Sequence, residues 1–133
     1  MIPAVNHNGY LPPGSHSATL EEIARRFGVE SEIHRVQMDS LRWMVELAWR
    51  AGVLRIVLNG SFVTNIPEPN DVDCALLIDN TFPADAAAYD ELLAGLPFIT
   101  LEIAEFDGFQ RLTEKFFATD RNYEPKGMIE VTR

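Results

Sequence analysis

Two aspartates separated by one residue, Asp71 and Asp73, begin an apolar segment in the middle of the chain. If that segment is a β-strand, its side chains alternate between faces, so both carboxylates share one face while Val72 and Cys74 share the other. Residues two apart in a strand are separated by roughly 7 Å, so the pair can hold one divalent cation or one cation each. The spacing therefore predicts a cation site, with Mg²⁺ or Mn²⁺ as the expected ion.

A Gly-Ser pair, Gly60-Ser61, ends the preceding apolar segment. Glycine lets backbone amides approach an anion closely, and the serine hydroxyl adds a hydrogen-bond donor. We therefore expect Gly60 and Ser61 to bind phosphate groups beside a cation held by Asp71 and Asp73. A phosphate site next to a divalent cation is the minimum required for metal-assisted nucleotidyl transfer.

The elements that must position these residues follow from periodicity and from helix-capping signals. Thr19 and Glu22 form a capping-box pattern that opens a short helix, and Ser31 opens a longer helix that ends near Gly52. After it, the pattern predicts a strand, a second strand, a helix, a third strand and a short helix, in the segments VLRIVLNG, VDCALLID, ADAAAYDELLAGL, FITLEIAEF and GFQRLTEKFFATD.

The two ends of the chain give weaker signals. Glycines and prolines interrupt residues 1–17, which predicts an irregular N-terminal arm, and the last residues, EPKGMIEVTR, are expected to form an edge strand or an ordered tail. Together the elements predict an α/β (α+β) fold with a small mixed sheet flanked by helices. At 133 residues and 15.0 kDa, the chain is expected to form a single domain over residues 1–133.

Composition limits the classes of function. The single cysteine, Cys74, is typical of a reducing cytoplasm, and with no apolar run of about 20 residues and no signal peptide we expect a cytoplasmic protein without a membrane partner. The net charge is −9, and residues 60–133 carry all of it. Such acidity disfavours non-specific binding to nucleic acid and suits a cation or a basic protein, although it is equally compatible with a role in solubility.

The segment from VLNGS, through a spacer from Phe62 to Asn70, to DVD with apolar flanks resembles the motif of the nucleotidyltransferase superfamily. That superfamily has the fold of DNA polymerase beta, and its motif is an apolar strand, Gly-Ser, a short spacer and Asp-x-Asp. The chain is similar in size to the minimal nucleotidyltransferases. More narrowly, LPPGSH, RRFG and GSFVTNIPEPNDVD resemble a family of uncharacterised bacterial proteins related to that superfamily.

The resemblance implies a metal-dependent enzyme that transfers NMP from an NTP, with ATP expected, to a protein or small acceptor. It assigns Asp71 and Asp73 to the metal and implies a third carboxylate on a later strand. Glu102 is the candidate, as metal ligand or as base on the acceptor hydroxyl, and Glu105 is its rival. Because some minimal nucleotidyltransferases are encoded beside a HEPN toxin and modify it, the resemblance also implies a toxin partner within a toxin–antitoxin system.

Two departures from the superfamily pattern leave other functions open. The superfamily prefers Asp at the third carboxylate, and many relatives add a helical domain for the base, for which this chain lacks the length; Phe62 and Tyr10 are the candidates for base contact. One alternative is therefore a catalytically inactive binding module or antitoxin-like partner with the same fold. Another is an unrelated acidic α/β interaction protein, in which the motif is coincidental.

Overall fold

A computed structural model describes residues 2–133. They form a mixed five-stranded sheet in the order β1-β5-β2-β3-β4, in which β2 runs antiparallel to its neighbours β5 and β3 while the pairs β1–β5 and β3–β4 are parallel. The predicted α+β fold with a small mixed sheet is confirmed. The elements are β1 (Gly14–Thr19), α1 (Leu20–Phe27), α2 (Glu32–Ala51), β2 (Arg55–Asn59), β3 (Val72–Leu77), α3 (Ala86–Ala94), β4 (Ile99–Ala104), α4 (Phe106–Arg111) and β5 (Gly127–Thr132).

The helix ends agree with their capping signals. The Thr19 hydroxyl accepts the backbone N–H of Glu22, whose carboxylate accepts the Thr19 backbone N–H, so the predicted capping box opens α1. The Ser31 hydroxyl caps α2 by accepting the backbone N–H of His34, and Gly52 ends that helix with a φ of 97°, a left-handed conformation that favours glycine. Local hydrogen bonding therefore sets where the two N-terminal helices begin.

The sheet buries its two faces unequally. The larger apolar cluster lies between the sheet and helices α1–α3 and includes Val72, Cys74 and Leu76 of β3. The smaller cluster lies on the opposite face, where Ala75 and Leu77 pack with Phe109 of α4 and other residues. Because side chains alternate along a strand, Asp73 belongs to the smaller-cluster face, as the alternation of β3 predicts.

Two predictions at the chain ends are wrong. Residues 14–17 are not part of an irregular arm, because they belong to β1, an edge strand that pairs in parallel with β5. The C-terminal strand is not at an edge, because β5 lies between β1 and β2. Both errors have one cause: each strand is stabilised by a partner more than a hundred residues away, which local pattern does not encode. Met1, the first residue of the predicted arm, lies outside the described residues.

One end of the sheet collects an unusual number of chain segments. The register pairs Asn59, the last residue of β2, with Asp73, and Val72 with Ile99, the first residue of β4. Leu58 of β2 pairs with Ile129, so β5 also begins at this end, and β1 begins alongside it. The start of four strands, the end of β2 and the bend at Gly60-Ser61 therefore lie close together.

Candidate functional site

An open cleft of about 840 Å³ lies at this end of the sheet. Its first side, which we call the acidic wall, is formed by Gly60, Ser61, Asn70, Asp71 and Asp73. Its second side, which we call the C-terminal wall, is formed by Lys115, Phe116, Thr119, Asp120, Arg121, Asn122, Tyr123 and Lys126, and Tyr10 completes the lining. The cleft thus brings together four of the five site residues that the sequence predicts.

Gly60 holds the bend tightly against the aspartate strand. Its φ is 92°, and a Cβ atom at this position would lie 3.2 Å from Asp73 Oδ2 and 3.1 Å from the Asp73 backbone nitrogen. A larger residue would push the bend away from β3. The Gly60 N–H already donates to Asn59 Oδ1 at 2.6 Å, so this amide is occupied within the fold.

Ser61 retains a donor for a ligand. Its Oγ accepts the backbone N–H of Asn70 at 2.7 Å, a bond that joins the two ends of the 61–70 loop. A hydroxyl that accepts one hydrogen bond can still donate its own proton. The loop is also fixed from outside, because the buried Gln37 of α2 donates to the Pro69 carbonyl at 2.7 Å. Ser61 is therefore a positioned hydroxyl at the mouth of the cleft.

Asp73 is half-buried and surrounded by negative charge. Burial raises the pKa of its carboxyl, and the nearby Asp71 and Glu102 carboxylates raise the pKa further, while the Lys126 ammonium partly opposes them. The ion pairs between arginine and carboxylate side chains in residues 2–133 lie elsewhere, at Arg55–Glu130 and Arg50–Glu46. Asp73 is thus a carboxylate whose charge the fold leaves largely uncompensated, as expected of a site for a cation.

Lys126 is a charged residue of the cleft that the sequence analysis does not single out. It is half-buried directly before β5, and its backbone N–H donates to the Ala118 carbonyl at 2.9 Å. Burial lowers the pKa of its ammonium group, and Asp73, Asp120 and Asp71 partly offset this. Lys126 reaches the cleft because β5, which follows it directly, lies inside the sheet. The sequence does not predict that position for β5, so it does not predict that Lys126 lies near the aspartates.

The two candidates for the third carboxylate occupy different environments. In the β3–β4 register Asp73 pairs with Thr100, and Glu102 lies two residues further along on the same face, diagonal to Asp73 at about 7–8 Å between Cα atoms. Glu102 and Asp73 share the lining of an adjoining cavity of about 520 Å³. Glu105 instead precedes α4, where its backbone carbonyl accepts the Phe109 N–H. The geometry places Glu102, and not Glu105, beside Asp73.

The candidates for base contact also differ from each other. Phe62 is completely buried, with its ring centroid 6.1 Å from that of Phe27, so the prediction that Phe62 contacts a base is wrong; the 3₁₀ turn over Ser61–Val63 directs it into the core. Tyr10 lines the cleft, but its hydroxyl donates to Asp120 Oδ2 at 2.7 Å. Two aromatic side chains that sequence reasoning did not select, Phe116 and Tyr123, line the cleft and are 67% and 85% exposed.

Asp120 organises the loop that carries part of the C-terminal wall. Its Oδ1 accepts the backbone N–H groups of Asn122 at 2.8 Å and Glu124 at 3.0 Å, and its Oδ2 accepts the Tyr10 hydroxyl. These hydrogen bonds lower the pKa of Asp120. The carboxylate is therefore engaged in shaping the loop, in the manner of an Asx turn, and is not a free ligand.

The acidic wall fits Mg²⁺ or Mn²⁺ in one respect and not in another. Within the described residues 2–133, no three His, Cys, Asp or Glu side chains converge as a metal-binding group, so Asp71, Asp73 and Glu102 do not form a closed three-ligand site. However, Mg²⁺ is commonly held by only one or two carboxylates together with substrate phosphates. The uncompensated Asp73, with Asp71 in the same cleft, meets that smaller requirement.

Comparison with known proteins places the chain in a family. Residues 3–132 match a family described as "Family of unknown function (DUF6932)", and since the match covers nearly the whole chain, the protein belongs to it. No curated protein and no solved structure matches the chain. None of the helices in residues 2–133 is long and apolar enough to cross a membrane.

Proposed function

We propose that this member of the DUF6932 family is a metal-dependent nucleotidyltransferase-like protein, which transfers NMP from an NTP, with ATP expected, to a protein or small acceptor. One observation carries the proposal: Asp71 and Asp73 line one cleft with the Gly60-Ser61 bend, which lies directly against Asp73. The chain order also agrees with the superfamily motif, since the bend follows β2, Asp71 directly precedes β3, Asp73 lies within β3, and Glu102 lies on β4 after α3.

Each residue of the cleft has a role in this proposal. Asp71 and Asp73 would hold Mg²⁺ or Mn²⁺, which when bound would neutralise charge on the triphosphate. The Ser61 hydroxyl would donate to a phosphate oxygen, with Gly60 allowing the close approach. Lys126 would supply positive charge close to both aspartates. Its ammonium group would attract the phosphates of the nucleotide, which binds together with its Mg²⁺ or Mn²⁺ ion.

Glu102 has a separate role at the acceptor side. Its carboxylate lines the adjoining cavity with Asp73, where an acceptor hydroxyl can approach. In the proposed step the acceptor oxygen forms a bond to the α-phosphorus, the bond from that phosphorus to the bridging oxygen breaks, and pyrophosphate leaves. The acceptor proton passes to Glu102. A protein acceptor such as a HEPN-type toxin, within a toxin–antitoxin system of the cytoplasm, belongs to the same proposal and is supported by the resemblance alone.

A second function is favoured by a specific observation. Asp71, Asp73 and Glu102 do not converge as a three-residue metal group within the described chain. This arrangement favours a catalytically inactive module that binds a nucleotide and its cation, or a basic partner, without transferring NMP.

The test is incubation of the protein with ATP labelled at the α-phosphate, Mg²⁺ and candidate protein acceptors. A transferase gives labelled acceptor and an equal amount of released pyrophosphate, and the double variant Asp71→Asn/Asp73→Asn gives neither. The control Asp90→Asn, which removes the same charge from an exposed position on α3, keeps the activity. ATP binding by calorimetry without pyrophosphate release identifies the inactive nucleotide-binding module, and absence of Mg²⁺-dependent ATP binding contradicts both the transferase and the nucleotide-binding module.

A further inference from the structure

Two exposed aromatic side chains in the cleft have no role in the mechanism proposed above. Tyr123 and Phe116 are the most exposed large apolar or aromatic residues of the described chain, at 85% and 67%. Both lie on the C-terminal wall, facing the same cleft as Asp71 and Ser61. Exposed aromatic rings carry an unfavourable hydration cost, so their presence together in one cleft calls for a physical reason.

The backbone holds Phe116 outward by an uncommon turn. Residues Leu112–Phe116 form a π-helical turn in which the Phe117 N–H donates to the Leu112 carbonyl at 2.8 Å. Such turns are rare and are frequently found at functional sites. The next residue, Phe117, is buried, and its carbonyl accepts a 2.6 Å hydrogen bond from the buried Asn59 side chain at the end of β2. The position of Phe116 is therefore set by the buried neighbour Phe117 and its hydrogen bond to Asn59, and not by packing of the Phe116 ring itself.

The backbone at Tyr123 is strained and is also held in place. Its φ is 61°, in the left-handed region that is uncommon and unfavourable for a non-glycine residue. The Tyr123 N–H donates to the Asp120 carbonyl at 3.1 Å, and Asp120 accepts the N–H groups of both residues that flank Tyr123. Strain of this kind persists where the surroundings enforce it, and it is concentrated at ligand-binding positions.

From these two arrangements we infer that Phe116 and Tyr123 form a stacking subsite for the nucleobase of the bound nucleotide. The inference rests on the proposed function and adds a base site to its phosphate and metal site. Aromatic faces stack on any base, because every base has a π-face. A purine has a larger ring system than a pyrimidine and buries more area against the two rings, so we expect the subsite to favour purines.

The test compares two ligands by calorimetry in Mg²⁺: ATP, and inorganic tripolyphosphate, which has the phosphates but no base. The subsite predicts that the wild-type protein binds ATP about 10-fold or more tightly than tripolyphosphate, which corresponds to one base–aromatic stack. Phe116→Ala and Tyr123→Ala should lose most of that advantage and leave tripolyphosphate binding unchanged. Tyr123→Phe, which keeps the ring, should retain it.

The matched control is Phe106→Ala, since Phe106 is a phenylalanine of similar exposure, 61%, at the start of α4. It should leave binding of both ligands unchanged. Equal wild-type affinity for ATP and tripolyphosphate overturns the base subsite and leaves the phosphate and metal site standing. An unchanged ATP advantage in Phe116→Ala and Tyr123→Ala also overturns it. Failure of the wild-type protein to bind either ligand overturns the subsite and the proposed function together.

Discussion

The two walls of the cleft are built by different means. The acidic wall extends directly from paired strands: Asp73 lies in the β2–β3–β4 ladder, and the Gly60 bend is packed against it. The C-terminal wall has no strand of its own in residues 112–126. It depends on a π-helical turn, the hydrogen bonds of Asp120 and one isolated bridge between Thr119 and Pro125.

The difference in construction accompanies a difference in chemistry. The acidic wall carries the carboxylates, for which a rigid strand fixes separation and direction. The C-terminal wall carries three cations, Lys115, Arg121 and Lys126, and the exposed rings of Phe116 and Tyr123. Loops held on a rigid scaffold are common carriers of binding residues. We therefore expect changes in the acidic wall to abolish binding and changes in the C-terminal wall to weaken or retune it.

The largest expected effect is at Asp73. Asp73→Asn should weaken Mg²⁺-dependent ATP binding on the order of 100-fold, because truncating one partner of a half-buried charge contact costs several kcal/mol. The same change should not lower the free energy of unfolding at neutral pH, since burial and the neighbouring carboxylates disfavour the ionised form of Asp73, and asparagine carries no charge. Calorimetry and chemical denaturation measure the two effects, with Asp90→Asn as the control. ATP affinity equal to that of the wild type would refute the metal assignment.

An intermediate effect is expected at Lys126. Lys126→Gln should weaken ATP binding by about 10-fold, the contribution of one charged contact to phosphate. It should also move the acid limb of Mn²⁺ binding to higher pH, because Lys126 opposes the raised pKa of Asp73 and only the ionised carboxylate binds the ion. The measurement is Mn²⁺ affinity against pH, with Arg111→Gln on α4 as the charge-matched control. If the acid limb of Mn²⁺ binding does not move, Lys126 does not affect the ionisation of Asp73.

The Asp73 carboxyl also predicts how the stability of the protein depends on pH. Because the pKa of Asp73 is raised in the folded protein, the folded state binds this proton more tightly than the unfolded chain. The contribution of Asp73 to the free energy of unfolding therefore falls as pH rises through the raised pKa. Asp73→Asn should flatten this part of the profile when unfolding is measured by urea denaturation across acidic to neutral pH. A profile identical to that of the wild type would show that the carboxyl is not perturbed.

The smallest expected effect is at Asp120. Asp120→Ala removes the acceptor of two backbone N–H groups and of the Tyr10 hydroxyl, so hydrogen exchange in residues 119–125 should accelerate. Exchange in the acidic wall should stay at the wild-type rate, and ATP affinity should fall only a few-fold, less than for Lys126→Gln. Asp90→Ala is the control. Faster exchange around Asp73 would mean that the two walls are not independent.

The sequence predicts the acidic wall well and the C-terminal wall poorly. The acidic wall was predictable because its signals are local: alternation places Asp71 and Asp73 together, and the capping residues Thr19 and Ser31 set the helices that cover the opposite face. The register beside Asp73, which decides between Glu102 and Glu105, follows once the parallel pairing of β3 with β4 is known. Periodicity gives each strand separately and does not give this pairing.

The C-terminal wall was not predictable because its causes are distant in sequence. Lys126 enters the site only because β5 inserts between β1 and β2, and Phe116 is placed by a bond between Asn59 and the Phe117 carbonyl. Phe62 differs from the sequence-based prediction for a related reason: its position after Gly60-Ser61 suggests the site, while the 3₁₀ turn directs its ring into the core. In each case tertiary packing, not local pattern, decides where the side chain points.

The most direct test of the central claim is a crystal structure with Mn²⁺ and a non-hydrolysable ATP analogue, in which anomalous scattering locates the ion. We expect an ion held by the Asp71 and Asp73 carboxylates, with the triphosphate along the Gly60-Ser61 bend. A manganese peak away from both aspartates, or an analogue bound outside this cleft, would contradict it.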